Sequence, residues 1–413
     1  MKVLIVHNLY RDRGGEERYI ELHRRLLEER GHEVSLFTKD SRDVASKWDK
    51  LTLPLSMTHS SASAREMRDL LKRERPDVVH VNNLFPLISP SVLAVVKDAG
   101  IPLVMTLHNY RLLCPIGTFL NPQGQMCEKC ADGNSLHCFT NNCRGGQAES
   151  LAYAVSSQFH KMTDVFAKYV DAFICPSRFS QQKLAQYGFD VSKTTVIPHY
   201  VDAPEATVME QATEARLNNE AAPEPTADQH FEEPYITYVG RLYPEKGILT
   251  LIRAMERLPH IRMKVLGTGP LRPQVEAEIR QRKLDHVELM GHVTGDVFHR
   301  LVTGARFSVL PSECYEGMPY SALENLSFGK PMVATNIGGL PEVIEDGVTG
   351  LLFPFGDEVL LAARIEELWT DDAMRRRFAE NCLQRHAERF SPDRYYQSVM
   401  GLYQTVIERG NRL

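Results

Sequence analysis

The residues best placed to do chemistry lie in Glu316-Gly317-Met318-Pro319-Tyr320-Ser321-Ala322-Leu323-Glu324. Two carboxylates are separated by seven intervening residues, with Gly and Pro after the first. The stretch follows an apolar run (Phe307–Leu310) and a loop (Pro311–Tyr315). Pro319 suits the first turn of a helix ending near Gly329. A helix N-terminus presents unpaired N–H groups and partial positive charge, which favours a diphosphate. A carboxylate accepts hydrogen bonds from neighbouring hydroxyls, so Glu316 and Glu324 can hold the sugar and ribose ends of a nucleotide sugar. Arg241 and Lys246 follow a second apolar run, Tyr235–Val239. Two cations at a strand-to-helix turn can neutralise a diphosphate, Arg as a fork and Lys as a point charge. Taken singly, such charges are commonly surface residues. The order of strand, loop and helix around both sets argues for a site.

Other positions carry weaker signals. Leu266-Gly267-Thr268-Gly269-Pro270-Leu271-Arg272 begins like a dinucleotide fingerprint, but Arg272 stands where the third Gly is required. Gly291-His292-Val293 follows a further strand. Gly14-Gly15 follows the first strand and allows close backbone approach to a ligand. His108 ends the run Pro102–Leu107, at the carboxyl end of a strand. Five of the eight cysteines fall within residues 114–143. Cys127 and Cys130 have zinc-knuckle spacing. With Cys138 and Cys143, and Cys114 or His137 as alternative ligands, they can form a tetrahedral structural zinc site. Reduced thiols and disulfides are the competing readings.

Strand-like and helix-like segments alternate along the chain. Lys2–His7, His32–Phe37, Asp77–Val81, Pro102–Leu107, Ala172–Cys175 and Thr195–Ile197 read as strands of one parallel α/β domain. Tyr235–Val239, Met263–Leu266, Val287–Met290, Phe307–Leu310, Met332–Thr335 and Leu351–Phe353 read as a second set. The expected organisation is two Rossmann-like domains facing across a cleft, residues 1–202 and 234–390. A final helix from Ser391-Pro392-Asp393 (391–413) returns to the first domain. Residues 203–233 carry eight acids and one base, and read as an acidic linker or insert. The formal net charge of −5 offers no field for nucleic acid. Met1-Lys2 runs straight into a short strand, and no apolar run approaches the roughly 18 residues of a membrane span. A cytoplasmic protein is expected, with peripheral attachment at the inner membrane face through the basic stretch Arg65, Arg68, Lys72, Arg73 and Arg75.

The Glu-x7-Glu element, with Gly329-Lys330-Pro331, Gly338-Gly339-Leu340-Pro341-Glu342, Gly347-Val348-Thr349-Gly350-Leu351-Leu352 and Gly240-Arg241-Leu242-Tyr243-Pro244-Glu245-Lys246-Gly247, resembles the family 4 glycosyltransferases (GT4) of GT-B fold. The resemblance covers nearly the whole chain except the acidic segment. It implies a retaining transferase that moves a hexose-type sugar from a UDP- or GDP-linked donor to a glycan, lipid-linked or small-molecule acceptor in polysaccharide or glycoconjugate biosynthesis. It implies an acceptor-side first domain and a donor-binding second domain. Catalytic roles fall to His108, Arg241, Lys246 and Glu316. Donor contacts fall to Gly14, Gly15, Arg241, Lys246, Leu266, Gly267, Val293, Glu316, the backbone of Gly317, Met318, Pro319 and Tyr320, and Glu324. No Asp-x-Asp motif is present and the cationic pair takes the place of a metal, so no cofactor is expected for catalysis. Ile197-Pro198-His199-Tyr200-Val201-Asp202 departs from the family's Ile-Pro-Asn-Gly-Val-Asp. Sugar-nucleotide 2-epimerases and non-catalytic sugar-binding relatives share the architecture and are the alternatives.

Overall fold

The computed structural model describes residues 1–11, 14–43, 56–203 and 233–410. Most of the expected acidic segment, residues 204–232, lies outside them. The chain forms two compact units, Met1–His199 with Pro392–Leu413, and Tyr200–Ser391.

The first unit contains β1 (Lys2–Leu9), α1 (Gly15–Glu29), β2 (Glu33–Asp40), α2 (Ser61–Glu74), β3 (Val78–Val81), α3 (Ser91–Asp98) and β4 (Leu103–Thr106). There follow α4 (His137–Thr140), α5 (Gln147–Thr163), α6 (Val165–Tyr169), β5 (Ala172–Cys175), α7 (Arg178–Gln186) and β6 (Thr194–Val196). All strand pairs are parallel, in the order β2-β1-β3-β4-β5-β6. The apolar runs explain the central strands: Val3, Leu4, Ile5 and Val6 are wholly buried, as are Val78, Val79 and Val81. A parallel sheet covered on both faces needs such continuous runs. Each such side chain contributes about 1.5–3 kcal/mol by leaving water. The step from β1 to β2 runs opposite to the later steps across the sheet. Right-handed crossovers therefore put α1 on one face and α2, α3, α5 and α6 on the other. The packing of α2 on α3 and of α3 on α6 agrees.

The second unit contains β7 (Tyr235–Val239), α8 (Ile248–Met255), β8 (Arg262–Leu266), α9 (Arg272–Arg282), β9 (Val287–Gly291), α10 (Gly295–Gly304) and β10 (Ser308–Leu310). It continues through α11 (Tyr320–Ser327), β11 (Met332–Thr335), α12 (Leu340–Val343), β12 (Gly350–Phe353), α13 (Glu358–Thr370) and α14 (Asp372–Arg389). Its parallel sheet has the order β12-β11-β10-β7-β8-β9. Ile236, Met263, Val265, Phe307 and Val309 anchor one core with α8 and α13. These are the two doubly wound α/β units expected from the alternating pattern.

The last helix, α15 (Pro392–Gly410), belongs to the first unit and packs against α1 and β4. Its docking face is polar as well as apolar. The Tyr403 hydroxyl lies 2.6 Å from His80 Nδ1 and 3.0 Å from His23 Nε2. The Tyr395 hydroxyl donates to Tyr19 Oη at 2.6 Å and lies 2.9 Å from His23 Nδ1. His80 Nε2 meets Thr106 Oγ1 at 2.7 Å. Burial holds His23 well below the ordinary imidazole range and His80 down at about 3, so both are neutral at pH 7. The unfolded chain binds protons at these sites from about 6.5 downward, and the folded chain does not. Stability is therefore full above about 6.5 and falls as pH drops toward 3. The urea midpoint should decline across that window. Tyr403→Phe, which removes the hydroxyl shared by His80 Nδ1 and His23 Nε2 and leaves the two ring nitrogens only each other at 3.2 Å, should cost about 1–3 kcal/mol at pH 7 in the same titration.

Candidate functional site

In the second sheet, β7 lies between β8 and β10, and the connections leaving β7 and β10 diverge to opposite faces. Open α/β sheets bind ligands in the crevice at the carboxyl ends of such a pair. The two loops there are Gly240–Gly247 and Pro311–Pro319, which carry Arg241, Lys246 and Glu316.

The loops are tied to each other. Glu313 N–H donates to Glu245 O at 2.9 Å, and Thr250 Oγ1 donates to Glu313 Oε1 at 2.5 Å. Gly247 has φ +65°, and a Cβ there would fall 1.8 Å from Pro311 O, so only glycine permits this approach. Lys246 Nζ donates to Glu316 Oε1 at 2.6 Å, and Ser312 Oγ donates to the same oxygen at 2.8 Å. Both partners are largely enclosed, with side chains 21% and 10% exposed. Burial works against the Lys246 ammonium, but the facing Glu316 carboxylate outweighs it and the pKa rises. Burial, and then Glu316, push the neighbouring Cys314 thiol well up. Arg241 is more exposed. Its guanidinium lies 3.6 Å from Glu245 and 4.6 Å over the Tyr243 ring, and its carbonyl accepts from the Tyr238 hydroxyl at 3.0 Å.

Glu316 is held from behind by the glycine pair that sequence reading used only as a family signature. Gly339 N–H donates to Glu316 O at 2.7 Å. Gly338 has φ +63°, and a Cβ there would lie 2.6 Å from the Glu316 backbone nitrogen and oxygen. Beyond Glu316 the chain runs through Gly317 and Met318 to Pro319, the N-cap of α11. Met318 turns its side chain into the core, leaving its backbone for any ligand. Tyr320 packs partly on the same core, and Glu324 is half-buried one turn along α11. A buried thread orients this helix: Thr237 Oγ1 meets Ser308 Oγ at 2.7 Å, Ser308 Oγ donates to Asn325 Oδ1 at 2.5 Å, and Asn325 Nδ2 donates to Ser321 O at 2.7 Å. Leu266 and Gly267 end the adjacent β8. Leu266 shares a small apolar cluster with Val302 and Phe328, against which Val293 packs.

In the first unit, Gly14 and Gly15 begin α1, and Glu17 shapes the loop before them. Its carboxylate accepts from Tyr10 N–H at 2.9 Å and Gly14 N–H at 2.8 Å. Burial opposes its charge, but these bonds and His7 hold the carboxyl below its usual range. His108 follows β4. Its Nε2 donates to Asn82 Oδ1 at 2.8 Å, which assigns the tautomer and leaves Nδ1 as the acceptor. Burial, and then His199, keep it well below the ordinary range and hence neutral. His199, where the family pattern has Asn, lies tilted beside it at 5.3 Å between ring centroids. Burial pushes His199 down to about 3. Glu16 accepts from Asn109 Nδ2 at 2.8 Å, and burial raises its pKa. Sequence reading missed Asn82, Glu16, Asn109, Ser312 and Asn325, whose types are ordinary in loops and helices.

The cysteines of the loop after β4 are all unbridged. Cys114, Cys130 and Cys138 are buried, and Cys127 and Cys143 are half-buried. Burial, and then the neighbouring thiols, raise Cys130 to about 12 and also raise Cys138 and Cys143. Among the described residues no three or more His, Cys, Asp or Glu side chains are disposed to hold a metal ion.

Two family models match: the Glycosyl transferases group 1 model over residues 226–385 and the Glycosyltransferase Family 4 model over residues 13–204. Each matches less than half of the chain, and together they take in most of it. The chain is similar to the alpha-D-kanosaminyltransferase of Streptomyces kanamyceticus, 31% identical over 180 residues, covering 42% of this chain and 46% of that one. It spans about half the length of the curated relatives it matches first. Among solved structures, sucrose-phosphate synthase from Thermosynechococcus elongatus aligns at TM-score 0.71 and 19% identity over 99% of each chain. Anabaena HepE in complex with UDP aligns at 0.66 and 19% identity, over 98% of this chain and all of the other. These likenesses give the GT-B fold.

Gly338→Ala should crowd the Glu316 backbone and force a left-handed conformation on a side chain, costing about 1–3 kcal/mol. Gly401→Ala, in helix α15 with nothing within 4 Å of the added carbon, is the contrasting control and should stabilise by about 0.5–1 kcal/mol. Thermal unfolding of the two variants checks this.

Proposed function

We propose that this protein is an enzyme that transfers a hexose-type sugar from a UDP- or GDP-linked donor to a hydroxyl of a glycan, lipid-linked or small-molecule acceptor, with retention of anomeric configuration. Polysaccharide or glycoconjugate synthesis is the expected setting. The observation that carries the reading is the Lys246–Glu316 pair at the crossover of the second sheet, beside Arg241 and just before the start of α11.

The donor occupies the second unit in this reading. Its pyrophosphate faces Arg241, Lys246 and the N–H groups at the start of α11, which lead the leaving phosphate's charge into a fixed, partly dry environment. Such groups need no reorganisation as the glycosidic bond breaks. Glu316, its Oε1 already held by Lys246 and Ser312, offers Oε2 to sugar hydroxyls. Glu324 takes the ribose. Leu266 and Val293, in their apolar cluster, flank the base with Gly267. His108, neutral and with Nδ1 as its acceptor, takes a hydrogen bond from a sugar hydroxyl; it does not act as a cation. Gly14 and Gly15 admit the donor phosphate side by backbone approach. The acceptor proton passes to the departing phosphate on the same face of the sugar, which gives retention. The match to the two family models, and the UDP held by a protein of the same fold, support a nucleotide-sugar donor.

Lys246→Ala and Glu316→Ala should each lower turnover about 100-fold or more while the protein remains folded. Thermal shifts with UDP, GDP and ADP select the donor to assay. Unchanged turnover of the matching nucleotide sugar in either variant would remove the assignment.

A further inference from the structure

Helix α5 is built inside out. Its buried residues are Ser150, Ala152, Tyr153, Ala154, Ser156 and His160, small or polar. Its exposed residues between Ser150 and Met162 are Leu151, Val155, Phe159 and Met162, all apolar and spaced four, four and three apart. That spacing lines them along one side of the helix. Met162 is 78% exposed and Phe159 47%. Leu136, at the start of α4, is 45% exposed, and α4 packs on α5. The polar side chains at the edges of this stripe are turned away from water. Lys161 Nζ donates to Leu113 O at 2.8 Å and Cys130 O at 2.6 Å. Gln158 Oε1 accepts from Ser135 N–H at 2.8 Å, and Ser157 Oγ meets Ser135 Oγ at 3.0 Å. A surface helix normally shows the opposite pattern.

The same face of the first sheet carries α2, and His160 of α5 reaches Thr58, just before α2, at 3.4 Å. The solvent side of α2 presents Arg65, Arg68, Lys72, Arg73 and Arg75. Glu66 pairs with Lys39 and Glu74 takes up Arg73, so Arg65, Arg68, Lys72 and Arg75 face only the exposed Asp69 on this helix. An apolar stripe on one helix and a cationic solvent side on another, both over the same face of the sheet, match an anionic lipid surface, in which amphipathic helices lie flat at the boundary of headgroup and acyl chain. The exposed apolar area is on the order of a few hundred Å², short of the roughly 800 Å² that each partner gives a stable protein interface. No described helix is long and apolar enough to cross a membrane.

We infer that Leu136, Leu151, Val155, Phe159 and Met162 form a membrane-docking face that seats the first unit on anionic lipid, with α2 supplying the electrostatic attraction. This stands independently of the enzymatic reading. The test is flotation of the full chain at low salt with phosphatidylcholine vesicles carrying phosphatidylglycerol, for the wild type and the double variant Phe159→Ser, Met162→Ser, with light scattering of both. Both substitutions are on exposed side chains, so melting curves should coincide. The wild type should float and remain monomeric, and the variant should partition at least about tenfold less. The inference is overturned if the wild type stays with the unbound protein, or if the variant floats equally well. It is also overturned if the wild type is a dimer that the variant dissociates, which would give the stripe to a second copy.

Discussion

A lysine and a glutamate held at 2.6 Å at the crossover of a parallel sheet organise the second unit. Neither charge tolerates enclosure alone, and each makes the other's burial affordable. The arrangement around them answers that requirement. Ser312 adds a second bond to the carboxylate, Gly247 brings the lysine loop against the β10 loop, and Gly338-Gly339 closes on the backbone of Glu316. A cation and an acceptor oxygen are thereby fixed at the start of α11, before any ligand arrives.

The first unit works on a different principle. Imidazoles kept neutral by burial, rather than charges kept ionised by pairing, set its character. His108 is one of several ring systems that pack on Tyr19, with His199 and Tyr395. Its protonation state follows from the packing around it, and its ring orientation from Asn82.

Much of this was legible in the residues. Continuous apolar runs such as Val3–Val6 announced the strands, because a sheet covered on both faces leaves no alternation to blur them. Glu316 and Lys246 stood out through their place after strands, and the resemblance put both at the donor; their direct ion pair was not among the expectations. What could not be read was contact between distant positions. His23, His80, Tyr395 and Tyr403 come from opposite ends of the chain, and no local pattern marks a tyrosine as a partner for a histidine some 380 residues away. The basic character of Arg65–Arg75 was visible as composition. The inverted face of α5 was not, because its meaning depends on which side of the helix the sheet occupies. The thiols of the Cys-rich loop have metal-like spacing in sequence, but their burial and their effect on one another belong to the fold, and spacing records neither.

The position of α15 in chain order has a consequence for biosynthesis. The helix that completes the interior of the first unit leaves the ribosome after the whole of the second. Until then His23 and His80 lack their tyrosine partners, and the face of α1 and β4 that α15 covers remains open. The first unit therefore waits, partly finished, while its successor folds, and a nascent chain arrested after Ser391 would present that uncovered surface to chaperones.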